Sequence, residues 1–295
     1  ILRAAGLAAV RAQAATLGIE DRWLLGRDTR LWVEGGVVHR EEPFYSFTTT
    51  GLHAGVERRF TRRLRVRGTY LWSASDSFDV DAELRPDVGR ELSQFSRTAG
   101  LAFEYRFDSR DDVYLPVRGT LAETRVFWST PELGATLEYV ELEANVSHHV
   151  DFGAGGVLAL NGFAGTRNPY GRTDDLPIQD RYFLGGVSSV RAYDQDELSP
   201  TDAFGNGVGG LTAVQGTIEW RRKIVGILYG AVFSDAGVVS LDPFSTDGAF
   251  GWGYGAGLRL HTPVGPVRLD AAYNPGSLHA AKKRFQVFFA FGFSF

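Results

Sequence analysis

The 295-residue chain contains no cysteine and no methionine. Without cysteine there is no disulfide framework, no thiolate metal centre and no cysteine nucleophile. No charge-free stretch supplies the ~20 apolar residues that a membrane-spanning helix needs. The charge balance has no basic excess: 31 Lys and Arg against 35 Asp and Glu give a net charge of -4. A nucleic-acid partner is therefore not expected. Disorder is excluded by what is abundant, since 21 Phe, 11 Tyr and 6 Trp stand beside a full complement of aliphatic residues. The lack of Met and of a leader segment suggests that Ile1 is not a translation start.

Glycine is plentiful, at 36 residues. With so many aromatics it points to β-structure. The period is explicit near the C-terminus. In 250–260, Phe250, Trp252, Tyr254, Ala256, Leu258 and Leu260 share one parity, and Gly251, Gly253, Gly255, Gly257 and Arg259 share the other. In 285–295, Phe285, Val287, Phe289, Phe291, Phe293 and Phe295 alternate with small or polar residues, Phe288 excepted. Period two marks a strand with one apolar face. Both stretches are longer than the ~5–6 residues usual in soluble sheets and match the ~9–11 needed to cross a bilayer at a tilt. The small residues opposite the aromatics suit a wet lumen better than a packed core.

Thirteen strands are predicted, at 8–20, 29–40, 45–60, 63–75, 96–108, 117–130, 135–150, 155–167, 208–222, 225–239, 248–261, 265–274 and 284–295. Segment 1–17 also reads as an amphipathic helix. Short connections (Trp23–Asp28, Thr61–Arg63, Asp151–Gly155, Lys223–Ile224, Thr262–Gly265) contrast with long ones at 76–95 and 168–207. Outer-membrane barrels have this asymmetry, with short periplasmic turns and long outer loops. The expected fold is all-β, an antiparallel transmembrane barrel. Because closed bacterial barrels have even strand numbers, thirteen suggests strands preceding Ile1.

The long connection at 168–207 is the most informative stretch. A loop of about forty residues without regular structure is usually functional or disordered. Phe183, Leu184, Val187 and Val190 favour its folding inward. Its centre, DRYFLGGVSSVRAYDQDELSP (180–200), resembles the sixth-loop motif of the outer-membrane insertase superfamily of the BamA and TamA type. Gly185, Gly186, Val190, Arg191 and Tyr193 match that pattern, and Ala192 stands where the family usually has glycine. If position 192 needs a positive φ, alanine adds strain there. Further matches are Gly216 and Glu219 in GTIEW, Phe233, Asp235 and Gly237 in VFSDAG, the hairpin at 255–270 and the Asp-rich turn SRDDVYLPVRG at 109–119. The loop spacing looks most like the TamA-type branch.

Parity places Glu219 with Gln215, Thr217 and Arg221, opposite Val214, Ile218 and Trp220. Asp235 lies opposite Val232 and Ala236. Both carboxylates therefore face inward, where a guanidinium on an inward loop requires acidic partners. The resemblance implies that Arg191 latches onto Glu219 and Asp235, with Phe233 and Tyr193 packed beside it. Three unrelated lumen charges would give the same parity. The resemblance also implies that 1–295 is the barrel domain, about thirteen strands of a barrel of about sixteen, with periplasmic POTRA domains upstream. It implies a multi-pass protein of the bacterial outer membrane that inserts β-barrel or autotransporter-type proteins through a lateral seam. The seam strand would be Phe285–Phe295, weakened at Gly292. Partners would be unfolded outer-membrane proteins, lipids and lipopolysaccharide, and accessory periplasmic or inner-membrane subunits.

No cofactor, metal or enzymatic activity is expected. Gly205–Gly210 matches GxGxxG but precedes a strand, not a helix. His148 and His149 face opposite sides of one strand. Asp174 and Asp175, and Asp194, Asp196 and Glu197, read as solvated acidic surface in preference to a cation site. Glu141 and Glu143 share a face and suit a wet lumen better than acid–base work. No GxSxG elbow is present. Three alternatives fit the residues: a two-partner secretion transporter, the anchor barrel of a patatin-like lipase, and a plain porin, the last disfavoured by the inward loop.

Overall fold

A computed structural model describes residues 2–9, 12–21, 28–41, 46–78, 95–113, 115–262, 265–276 and 283–291. Among them fourteen strands form one sheet in sequence order. They are β1 Leu2–Ala9, β2 Ala12–Asp21, β3 Thr29–Glu41, β4 Ser46–Arg59, β5 Leu64–Phe78, β6 Ser96–Asp108 and β7 Gly119–Ser129, followed by β8 Tyr139–Asp151, β9 Gly156–Pro169, β10 Thr212–Val225, β11 Leu228–Ser240, β12 Ala249–Thr262, β13 Gly265–Tyr273 and β14 Phe285–Phe291. Helix among the described residues is confined to two short 3-10 turns, Pro131–Leu133 and Ile178–Asp180.

Three differences from the predicted strands have physical reasons. Segment 8–20 is the second arm of a hairpin, β1 against β2, with Leu2 opposite Ile19 and Ala9 opposite Ala12. The count among the described residues is thus fourteen, one more than expected, and 2–9 is strand, not helix. Alanines on both faces carry no period-two signal, so pairing alone identifies the hairpin. The turn expected at Lys223–Ile224 lies inside β10. The chain reverses at Gly226, whose φ of +52° is open to glycine. The long connection reaches Leu211, because residues 208–211 belong to the loop: Gly210 bridges Tyr182 and Val208 donates to the Pro200 carbonyl. Gly292, Phe293 and Phe295 of the predicted seam strand lie outside the described residues.

The chain divides into two compact units. The first comprises 1–106, 124–142 and 167–180. Its strands expose Leu17, Ile19, Val33, Val37, Leu52 and Val56 on one face. Ion pairs occupy the other, Arg30 with Glu20, Arg67 with Glu57 and Arg167 with Glu141.

The second unit, 107–123, 143–166 and 181–295, repeats this inversion. Ile218, Val232, Trp252, Leu258, Leu269, Val287 and Phe289 are exposed, while Glu219, Asp235, Arg259, Arg268 and Asp270 are buried. Apolar outside and charged inside is the reverse of a soluble sheet and fits lipid on the outer face. Its apolar core is built on the loop: Tyr182, Leu184, Val190, Ala192, Tyr193 and Leu198 pack on Ala213, Phe233, Val239 and Ala272.

Candidate functional site: a loop latched on the inner face of β10–β13

The loop reaches the inner face through a tight reversal. Gly185 and Gly186 have φ of +110° and +88°, conformations that favour glycine. Gly186 N–H donates to the Tyr193 carbonyl (3.0 Å) and Leu184 pairs with Leu198, closing residues 186–193 into a compact bulb. The Ser189 hydroxyl ties the bulb to β10 through Gln215 (2.6 Å).

Arg191 lies at the centre, 1% exposed. Its Nε and Nη2 donate to the two oxygens of Asp235 at 2.8 and 2.9 Å, a bidentate fork. Its Nη1 donates to Glu219 at 2.8 Å, and its backbone N–H to Asp235 at 3.1 Å. The guanidinium lies 3.3 Å from the centroid of the Phe233 ring. Thr217 donates to the Asp235 oxygen that faces Nη2. Burial would lower the Arg191 pKa, but the hydrogen bonds and charges of Asp235 and Glu219 outweigh it and raise the pKa above the ordinary value. The structure thus brings together Arg191, Glu219, Asp235, Phe233 and Tyr193.

The charge network is larger than sequence reasoning anticipated. Arg259 on β12 also donates to Glu219 (3.0 Å) and pairs with Asp270 on β13. Arg268 donates to the Val187 carbonyl at the base of the bulb (2.7 Å) and lies 3.8 Å from Asp270. Arg221 is 3.8 Å from Glu219 and donates to the Pro116 carbonyl. Four guanidinium groups thus surround three carboxylates. Parity marked Arg259 as inward, but which carboxylate it meets depends on strand register. Asp270 ended the recognised hairpin without being given a role.

Ala192 is not strained: it is absent from the positive-φ residues, so the backbone conformation feared for it does not occur. Its side chain is instead accommodated by β12. A Cβ built on Gly253 would collide with the Ala192 Cβ, and one on Gly251 would lie 2.6 Å from the Tyr193 ring. Cβ atoms at Gly255 and Gly257 would strike Phe233 and Asp270. The inward glycines of β12 are the floor on which the motif rests.

The other candidates remain apart. Among the described residues no group of three or more metal-type ligands gathers. Gly205 and Gly209 form turns before β10 with no helix following. Glu141 pairs with Arg167, and Glu143 accepts from the Tyr182 hydroxyl (2.9 Å). The Asp-rich turn is organised by Asp111, whose Oδ1 accepts the N–H groups of Asp112, Val117 and Arg118 at 3.0–3.2 Å. Burial pulls its pKa up, but these bonds overcome that and hold it below the usual carboxylate range. A depressed pKa stabilises the turn above the ordinary carboxylate range and loses that support as pH falls through the folded-state value. Proteolysis at 109–118 is expected to rise below about pH 4, and Asp111→Asn to be cut readily at every pH. A cleavage rate independent of pH in the unsubstituted protein would contradict this.

The decisive comparison is with a protein family. The Omp85 superfamily domain matches residues 2–295. The chain belongs to the Omp85 superfamily. It is accordingly an outer-membrane β-barrel chain. Among curated Omp85-type relatives, it is 32% identical over 114 residues to the chloroplastic outer envelope protein 80 of Arabidopsis thaliana, covering 37% of this chain and 14% of that protein. It is 23% identical over 247 residues to the outer membrane protein assembly factor BamA of Nitratidesulfovibrio vulgaris, covering 74% and 29%. The chain therefore spans under a third of either relative. The fold resembles that of BamA from Haemophilus ducreyi lacking POTRA domains 1–3, with a TM-score of 0.83 at 16% identity over 97% of this chain and 63% of that one. CdiB from Acinetobacter baumannii gives a TM-score of 0.63 at 14% identity, over 94% and 50%.

Proposed function

We propose that this chain is the barrel domain of an outer-membrane assembly factor, which inserts β-barrel or autotransporter-type proteins through a seam at its terminal strand. The observation that carries the reading is the buried Arg191 fork. It holds the loop between β9 and β10 against β10 and β11, three to four strands from β14. A loop held there braces this part of the sheet while the seam strand stays available. Over its described residues, Phe285–Phe291, β14 presents Phe285, Val287, Phe289 and Phe291 outward. A strand edge with an apolar outer row can template an incoming strand by β-augmentation. Relatives named as assembly factors support the same reading.

On this reading the protein is not an enzyme and needs no cofactor. Its partners are unfolded outer-membrane proteins, the surrounding lipids and lipopolysaccharide, and accessory subunits. POTRA domains precede the barrel, and the loop spacing favours the TamA-type branch. The connection at 170–211 faces outward and the short turns face the periplasm; the other long connection expected to face outward, 76–95, lies mostly outside the described residues. The second reading, export of a polypeptide through the pore, draws support from the likeness to CdiB. The two are separated by reconstituting the full-length protein in liposomes with an unfolded outer-membrane substrate and a photo-crosslinker at Phe289. Accelerated substrate insertion with adducts at Phe289 is expected. Transfer of a soluble polypeptide into the lumen without adducts would overturn the assembly reading. For orientation, an impermeant thiol reagent on intact cells should label Phe204→Cys and spare Ile227→Cys.

A further inference from the structure

β4 and β5 are joined by a hairpin turn at 60–63. Phe60 and Thr61 N–H groups donate to the Leu64 carbonyl, and the Thr61 hydroxyl accepts from Arg63 and Leu64. The turn is thus ordered by its own backbone. Around it Arg58, Arg59, Arg62, Arg63 and Arg65 are all exposed, and 58–65 contains no carboxylate. These five arginines make no ion pair among the described residues. Arg67, two positions further on, behaves otherwise: it is paired with Glu57 at 2.7 Å and Glu104 at 3.2 Å. Phe60 is 58% exposed, with the Arg58 guanidinium 5.6 Å from its ring centroid.

The placement of these residues along β4 supplies the second observation. Leu52, Val56, Arg58 and Phe60 share one parity, and Leu52 and Val56 are exposed members of the apolar outer row. The lipid-facing row therefore runs out into an arginine and an aromatic ring, beside a tip of unpaired arginines. Five like charges on one hairpin repel in water, and an exposed phenylalanine adds an apolar cost there. Both costs disappear where acyl chains meet phosphates. The ring then lies at the hydrocarbon boundary, as aromatic and long basic side chains do at membrane interfaces. The guanidinium forks match phosphate oxygens, and basic groups beside an anionic lipid surface are attracted to it.

We propose that the β4–β5 turn is a binding site for the phosphate groups of anionic phospholipid in the leaflet at the short-turn end, with Phe60 inserted among the acyl chains. This rests on the orientation given above, in which that leaflet is the periplasmic one. An acidic protein segment would meet the arginines but would leave the continuation of the lipid-facing row into Phe60 without a purpose.

The full-length protein, refolded and checked for heat-resistant mobility, is placed in bilayers of phosphatidylcholine mixed with phosphatidylglycerol, and the retained lipids are identified by native mass spectrometry. Phosphatidylglycerol is expected to be enriched, and Arg62→Gln with Arg63→Gln to weaken its retention about tenfold or more. Arg172→Gln, exposed in the 170–211 loop, should leave retention unchanged. Equal retention in the double variant and the unsubstituted protein overturns the proposal. So does loss of an acidic protein partner with no change in lipid. Preference for lipopolysaccharide over phosphatidylglycerol also overturns it. If the double variant does not fold, the unsubstituted protein decides: enrichment must fall as salt is raised, and enrichment insensitive to salt sinks the idea. The substrate-insertion assay and the Ile227→Cys labelling, run on the same preparations, report separately on the assembly reading and the orientation.

Discussion

Arg191→Ala is expected to loosen the 181–211 loop and to destabilise the folded protein by about 3–5 kcal/mol, the usual cost of stranding a buried charge partner. Arg191, Glu219 and Asp235 are each 1% exposed, so solvent offers little compensation. The loss falls unequally. Glu219 keeps a cation, Arg259 at 3.0 Å, whereas Asp235 keeps only neutral donors, the Thr217 hydroxyl and the backbone N–H of residue 191. Asp235 is therefore the stranded group, and Asp235→Ala should recover part of the loss in the Arg191→Ala background. Lysine at 191 should rescue only in part, because an ammonium has no planar fork for both Asp235 oxygens. The apolar outer row is untouched, so the barrel should still insert while the loop becomes protease-sensitive. The measurement is a double-mutant cycle on loop proteolysis and on substrate insertion, with a coupling of about 1–3 kcal/mol. Strict additivity would show that the fork carries no energy, and the proposed bracing role would fall with it.

The two faces of β12 should respond to substitution by different physics. Trp252 and Leu258 are exposed on the lipid side, and Trp252→Arg or Leu258→Arg should cost about 2–4 kcal/mol near mid-membrane, through desolvation of the cation. On the other side Gly253→Ala adds only a methyl group, yet that methyl meets the buried Ala192 Cβ with no free volume between them. Overpacking of this kind typically costs ~1–3 kcal/mol. Ala192→Gly should restore part of it, because it removes the opposing methyl while the Tyr273 carbonyl oxygen, 2.8 Å from the added Cβ, stays. No such rescue should occur for Trp252→Arg. The check is denaturant unfolding of the refolded protein in lipid or detergent for the four variants and the Gly253/Ala192 pair. If Ala192→Gly fails to relieve Gly253→Ala, the bulb does not rest on the β12 glycines as described.

What the sequence determined by itself was direction and type. Alternation at 250–260 and 285–291 is a property of each strand alone, because successive side chains must point to opposite faces. It therefore assigned Trp252, Leu258 and Phe289 outward and Glu219 and Asp235 inward without knowledge of any neighbour. The 185–193 segment was equally legible, since Gly185 and Gly186 mark a left-handed reversal that few other residues can adopt. Tertiary structure alone decided partners. Which inward carboxylate meets which guanidinium depends on the register between strands distant in sequence, and period two is blind to a shift of two residues. That is why Arg259, Arg268 and Asp270 became members of the Arg191 network only once β11, β12 and β13 were paired. The same holds for Ala192, whose departure from glycine suggested strain in the chain itself but is met by the missing side chain of Gly253 on another strand. At β1 and β2 even the strand count waited on pairing, because alanine on both faces leaves no contrast for a periodicity to carry.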